Sequence, residues 1–255
     1  MAIIDTHAHL YLPEFEDDRK AVMDRARKAG VSQILLPAID ASTHQMMLEM
    51  ELEFPQECFS MMGLHPCSVK RDYLEELRKV EQYMTSRRFL AVGEIGLDFH
   101  WDKTFVEQQY AAFHRQVELA LEYGIPISIH SREATSECIQ VILEHQKGSL
   151  RGVFHCFSGD LDQANRAVGA GFYLGIGGVL TFKNSGLDKV IADVDLKNLV
   201  LETDAPYLAP VPYRGKRNES SYLSYIVQKL AEIKSVTREE VIEITSNNAR
   251  DLFGL

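Results

Sequence analysis

The amino-acid sequence predicts an α/β fold, a (β/α)8 TIM barrel built from a single domain of residues 1–255. Two observations favour this fold. Eight short apolar runs alternate with amphipathic stretches, which indicates parallel strands joined by helical crossovers. A chain of 255 residues is also of the usual length for such a barrel. A doubly wound sheet is the competing architecture, and it is less favoured because no glycine-rich phosphate loop follows the first run.

The predicted strands are short, largely apolar runs of the length expected for buried parallel strands. They comprise residues 2–5, 33–38, 59–63, 90–94, 125–129, 152–157, 172–177 and 199–202.

The predicted helices show apolar residues at helical spacing, as Val22, Ala26 and Ala29 do in the first of them. Several end at a glycine that precedes the next strand, for example Gly30 and Gly124. Seven lie between the strands, at residues 16–29, 42–53, 73–86, 106–123, 133–146, 160–170 and 185–194. Two more, at residues 222–234 and 237–252, follow the eighth strand.

Composition restricts the classes of function and the compartment. The formal net charge of −10 argues against a protein that coats duplex DNA through a broad basic surface. The four cysteines are scattered without a CxxC pair, so we expect reduced thiols and a cytoplasmic location. No apolar stretch approaches the roughly 20 residues of a membrane span, and no secretory signal is recognisable at the N-terminus.

Polar side chains collect at the predicted carboxyl ends of the strands, where barrel enzymes carry their chemistry. This group consists of His7, His9, His65, Glu94, Asp98, His130, Arg132, His155, Glu202 and Asp204. His7 and His9 are two residues apart and would share one face of a strand. A lone histidine in an apolar strand is usually a core residue, but five at one rim favour a metal centre.

The ligand types indicate which metals and what nuclearity to expect. Imidazoles and carboxylates suit first-row divalent ions, and several carboxylates favour a pair of ions bridged by Glu94. We expect His44, His114 and His145 to be solvated on helix surfaces, while His100 in a loop is undecided. Cys156 should point away from His155 into the core, because strand neighbours face opposite sides.

The motifs "IDTHAHL", "GLHP", "AVGEIGLDF", "IPISIHSRE", "GVFHCFSG" and "LETDAPYLAP" occur in an order that resembles the TatD-type metal-dependent deoxyribonucleases, a branch of the amidohydrolase-like, metallo-dependent hydrolase barrels. The resemblance implies a cofactor of two divalent ions, with Mg²⁺, Mn²⁺, Zn²⁺ and Ni²⁺ as candidates. His7, His9, Glu94 and Asp204 would hold one ion, and Glu94, His130 and His155 the other. Asp204, Glu94 and His65 are the implied catalytic residues, with Asp204 accepting a proton from the attacking water.

The resemblance also implies an activity, namely cleavage of DNA phosphodiesters from the 3′ ends of single strands, without a membrane partner. Hydrolysis of another ester on the same barrel, such as aminoacyl-tRNA or a small phosphoester, is the main alternative. A non-enzymatic scaffold is a weaker one, because the ligand set is complete.

Substrate contacts are expected from His65, Arg132, Glu202 and Arg214, the last in the compact basic stretch "YRGKR". Arg132 would pair with phosphate, with a loop salt bridge as the alternative. Phe99 and Trp101 would stack on a base or pack their own loop.

Overall fold

A computed structural model describes residues 2–255, so residue 1 of the predicted domain lies outside the described part. The described chain contains eight strands, β1 to β8, at Ile3–Asp5, Val31–Pro37, Cys58–Met61, Val92–Asp98, Ile127–Arg132, Gly152–Phe154, Phe172–Ile176 and Leu199–Leu201. It also contains nine α-helices, α1 to α9, at Arg19–Lys28, Ala41–Glu53, Tyr73–Ser86, Val106–Tyr123, Thr135–His145, Leu161–Gly169, Leu187–Asp193, Leu223–Lys234 and Arg238–Phe253.

All the strand pairs are parallel and follow chain order, in one sheet of β1 to β3 and another of β4 to β8. Two isolated parallel bridges join these sheets, Met62 with Val92 and Ala8 with Ala205. The sheet therefore closes on itself, and the predicted (β/α)8 barrel is confirmed. No helix between residues 2 and 255 is long and apolar enough to cross a membrane.

Strands β4 and β5 are longer than predicted and reach the mouth of the barrel. The predicted strands end at residues 94 and 129, whereas pairing continues through Gly96 with His130 and Asp98 with Arg132. Gly96 allows this close approach, because its φ is +137° and a Cβ there would lie 2.0 Å from the His130 carbonyl oxygen. Polar residues that look like loop residues in the sequence are consequently fixed by strand pairing.

The first helix begins at Arg19, three residues later than predicted. Pro13–Phe15 form a separate turn of 3-10 helix that buries Phe15, so the chain changes direction before α1 starts. The predicted helix at residues 16–29 merges that connection with the helix proper.

Helix α9 packs against one end of the barrel interior. Ile4, Leu35, Met61, Ala91, Val153 and Val200 form one buried cluster with Ala249, Leu252 and Phe253 of α9. The strand residues in this cluster precede the polar strand ends in the chain, so α9 covers the end of the barrel opposite the polar residues.

We expect Leu252→Ala to lower the free energy of unfolding by about 2–5 kcal/mol, because Leu252 is 1% exposed and its loss leaves a cavity. Urea denaturation monitored by circular dichroism measures this change. Leu52→Ala on α2 is the matched control, since Leu52 is 75% exposed and should change stability by less than about 0.5 kcal/mol. Equal effects of the two substitutions would contradict this role of α9.

Candidate metal centre

A cavity of about 790 Å³ opens at the end of the barrel where the strands finish. Its lining includes His9, His65, Glu94, His130, His155 and Asp204. His7 lies behind this surface, fully buried. The structure thus brings together the seven residues that the sequence assigned to metal binding or catalysis.

Glu94 occupies the centre of this cluster, and its two oxygens face different histidines. Oε2 lies 3.1 Å from His7 Nε2 and 3.5 Å from His9 Nε2. Oε1 lies 2.8 Å from His130 Nδ1 and 3.0 Å from His155 Nε2. This division matches the two expected ligand groups that share one carboxylate.

Local backbone structure places His7 and His9 side by side. The bridge between Ala8 and Ala205 continues the extended backbone beyond β1, so the two imidazoles share one face. Their ring centroids are 5.1 Å apart.

Asp204 approaches the same pair from the loop after β8. Its Oδ1 lies 3.8 Å from His7 Nε2 and 3.6 Å from His9 Nε2. The Asp204 backbone has φ +57°, and its N–H donates to the carbonyl of His7. The first and last strands therefore fix the aspartate relative to the histidine pair.

The second ring nitrogen of each candidate histidine ligand faces another polar group. The contacts are His7 Nδ1 with Ser128 Oγ at 3.3 Å, His9 Nδ1 with Tyr11 Oη at 3.0 Å, His130 Nε2 with Asp98 Oδ2 at 2.8 Å and His155 Nδ1 with Glu202 Oε1 at 3.2 Å. Such contacts fix ring orientation and are usual around metal-binding histidines.

Sequence reasoning missed Ser128 and Tyr11 as members of this outer group. A usable signal existed, because Ser128 precedes His130 by two residues and Tyr11 follows His9 by two. In extended chain such neighbours share a face. For Asp98 the sequence predicts a position at a strand end but no contact with His130.

The electrostatics of the cluster favour ionised carboxylates. Burial alone would raise the pKa of Glu94, but the imidazoles of His155 and His65 outweigh it and hold the pKa well below its usual range. Burial would likewise lower the pKa of His9, yet hydrogen bonds to Asp204 and Glu94 raise it to about 9. Glu94 is therefore held in its ionised form, which is the form in which a carboxylate binds a metal ion.

His65 lies closer to the centre than a peripheral substrate contact would. Its Nε2 is 3.3 Å from Glu94 Oε1 and 3.3 Å from His130 Nδ1. Its Nδ1 accepts the backbone N–H of Cys67 at 3.0 Å, which orients the ring. His65 therefore borders the same space as the candidate ligands Glu94 and His130.

The predicted substrate residues separate into two groups. Arg132 and Arg214 line the cavity. The guanidinium carbon of Arg132 lies 5.2 Å from the centre of the Trp101 ring, and that of Arg214 lies 4.6 Å from the centre of the Phe182 ring. Trp101 is 69% exposed at the mouth, whereas Phe99 packs against the core. Glu202 is fully buried behind His155 and does not line the cavity, so the expected substrate contact is wrong.

Two expectations about residues outside the ligand set are also wrong. His44 is buried against Tyr83, not solvated, because its face of α2 packs inward. Cys156 is half-buried with φ +46°, since β6 ends at Phe154 and strand alternation no longer applies. Its backbone N–H donates to Glu202 Oε1.

The other helical histidines are not isolated surface residues either. His114 Nδ1 lies 2.8 Å from His145 Nε2, and both rings are half-buried between α4 and α5. His100, left undecided by the sequence, pairs with Glu133 at 2.7 Å.

The sequence profile of a family described as TatD related DNase matches residues 4–254. The chain belongs to this family. It is 36% identical to the metal-dependent hydrolase YabD of Bacillus subtilis over 98% of both chains. It is 32% identical to the 3'-5' ssDNA/RNA exonuclease TatD of Erwinia tasmaniensis, over 99% of this chain and 100% of that protein. The resemblance inferred from the motifs is confirmed.

A solved structure leads to the same family. The crystal structure of the TatD homologue YjjV from Escherichia coli superposes with a TM-score of 0.94 at 32% identity, covering 99% of this chain and 98% of that one. The protein is accordingly a metal-dependent hydrolase. Its ligand types fit that class, because His7, His9 and Glu94, and separately Glu94, His130 and His155, offer ligand atoms within 4.8 Å of one another.

We expect Glu94→Ala to reduce bound divalent metal to less than half of the parent value, because Glu94 serves both ligand groups. Metal analysis after desalting, with Mn²⁺ as the added ion, measures this loss. A thermal unfolding scan provides a second measurement, since added Mn²⁺ should raise the Tm of the parent and not that of the variant. Glu49→Ala on the exposed surface of α2 is the matched control, and metal retention in Glu94→Ala equal to that control would contradict the assignment.

Proposed function

We propose that the protein is a divalent-metal-dependent exonuclease that removes nucleotides from the 3′ ends of single-stranded DNA, using a pair of ions. The division of the Glu94 oxygens between two histidine groups is the observation that carries this proposal. The exonuclease name of the Erwinia relative supports the choice of substrate.

The two ions would be held by His7, His9, Glu94 and Asp204 on one side and by Glu94, His130 and His155 on the other. When bound, such ions lower the pKa of water and neutralise charge on a phosphate.

The remaining chemistry falls to side chains of this protein. The Asp204 carboxylate, which lies beside His9, would orient the attacking water and accept its proton. His65 Nε2 faces the same space and is suited to hydrogen-bond a phosphate oxygen. Arg132 at the mouth offers a planar pair of donors that matches a phosphate.

Cavity size and charge favour a strand end over a duplex. A volume of about 790 Å³ is in the range of pockets that enclose small molecules, which is consistent with a terminal nucleotide as the occupant. An acidic chain with few local cations lacks the broad basic surface that duplex binding uses.

We expect metal-stripped protein to regain exonuclease activity when Mg²⁺, Mn²⁺ or Zn²⁺ is restored. A 5′-labelled single strand on a denaturing gel should shorten progressively from its 3′ end. Chelator and Glu94→Ala are the negative controls. Absence of nucleic-acid cleavage with every ion, in protein that retains its metal, would refute the nuclease assignment and favour another ester.

We expect Arg132→Ala to raise KM for an oligonucleotide roughly tenfold with a smaller change in kcat, because a charge-assisted pair to phosphate is lost. Steady-state kinetics at constant ionic strength measure this change. Arg166→Ala on α6 is the matched control, since its only ion pair is the surface contact with Asp162 among the described residues. An unchanged KM in Arg132→Ala would assign this arginine a structural role beside Trp101.

A further inference from the structure

A second cavity, of about 660 Å³, adjoins the metal-site cavity. Lys216 lines both, so the two spaces meet at this side chain. Lys216 lies in a turn. The backbone N–H of Lys216 donates to the carbonyl of Tyr213 at 2.9 Å, and Gly215 has φ +81°. A polymeric ligand that extends out of the first cavity past Lys216 would enter the second cavity.

Three tyrosines contribute to the lining of this second cavity. The rings of Tyr213 and Tyr222 stack on each other with centroids 4.3 Å apart and planes 6° apart. Tyr225 meets both rings edge-on and is 36% exposed. Because Tyr213 and Tyr222 cover each other, Tyr225 is the ring whose surface is most available to a ligand.

The charge of the lining is locally positive in an acidic protein. Arg25, Lys216 and Arg217 line the cavity together with one acid, Glu219. Arg25 is paired with Glu219, and Arg217 with Asp18. Within residues 2–255, Lys216 has no carboxylate within 4.0 Å, so its charge is available to an incoming anion.

We propose that the second cavity binds the single strand upstream of the scissile phosphate, with a base stacked on Tyr225 and a phosphate paired with Lys216. This inference rests on the proposed function and extends it from a terminal nucleotide to a longer substrate. Cations that follow the backbone and aromatic rings that accept bases are the combination used for single strands without sequence preference. In a duplex the bases are paired and stacked on one another, so a base would reach Tyr225 only at the cost of leaving the stack.

Substrate length tests this proposal directly. The parent enzyme should show a KM for a single-stranded octanucleotide about tenfold below that for a dinucleotide, which is too short to reach the second cavity. Tyr225→Ala should abolish most of this difference, whereas Tyr225→Phe, which keeps the ring and loses only the hydroxyl contact with Tyr213, should retain it. Tyr123→Ala is the matched control. Tyr123 is 41% exposed and is the last residue of α4, so it lies at the end of the barrel where β5 begins and lines neither cavity.

Salt dependence tests the role of Lys216 separately. Lys216→Ala should reduce the slope of log KM against log salt concentration by about 0.7 with the octanucleotide, the value for one phosphate contact on a single strand. Lys197→Ala, at an exposed lysine before β8, should leave the slope unchanged.

The outcomes separate this inference from the function on which it rests. Cleavage of both substrates with equal KM values would overturn the upstream-strand site. So would an equal loss of the KM difference in Tyr225→Ala and Tyr225→Phe. Neither result would contradict the proposed nuclease activity. Absence of cleavage of either substrate by the parent would overturn both proposals. The expected length effect, lost only when the Tyr225 ring is removed, would establish the site.

Discussion

The buried carboxylate of Glu94 is the interaction on which the rest of the site depends. Taking a charged group out of water is expensive, and the cost is tolerated only where opposite charges and hydrogen bonds surround it. Here imidazoles approach Glu94 from four different strand ends, together with Asp204 behind two of them. Parallel closure of the barrel is what brings residues so distant in sequence to a single carboxylate.

The sequence was sufficient to predict the barrel and the central cluster. Alternating apolar runs define a parallel sheet, and the polar residue that follows or ends each run lies at the common rim once the sheet closes. His7, Glu94, His130 and His155 could therefore be grouped without knowledge of side-chain positions.

Other features depend on packing that periodicity does not encode. His44 has the context of a surface residue, yet its position on α2 faces inward. Glu202 shares the rim motif with Asp204, but the positive φ of Asp204 turns the chain, so that one carboxylate enters the cavity and the other lies behind His155. The end of β6 at Phe154 similarly removes the alternation from which the position of Cys156 was predicted.

The two ends of the barrel place opposite demands on stability. At one end, α9 buries apolar side chains against the strand interior and contributes favourable free energy. At the other end, the carboxylates and imidazoles around Glu94 are buried, and keeping ionisable groups out of water costs free energy before any cation is bound. Divalent ions that bind the native state alone would offset part of that cost, because binding energy is then also folding energy.

The distribution of charge on this protein bears on which form of nucleic acid the proposed exonuclease would bind. A strongly basic surface would hold nucleic acid at any position along its length, and an acidic one repels it except where cations are concentrated. In this protein, Arg132, Arg214 and Lys216 line the cavity that contains Glu94. Under the proposed function, repulsion elsewhere and attraction at the mouth would favour a flexible strand whose end enters the cavity while the rest remains in solvent or in the second cavity. For the proposed exonuclease, the overall charge of −10 would disfavour a duplex, which needs a broad basic surface, more than a strand end that enters the cavity.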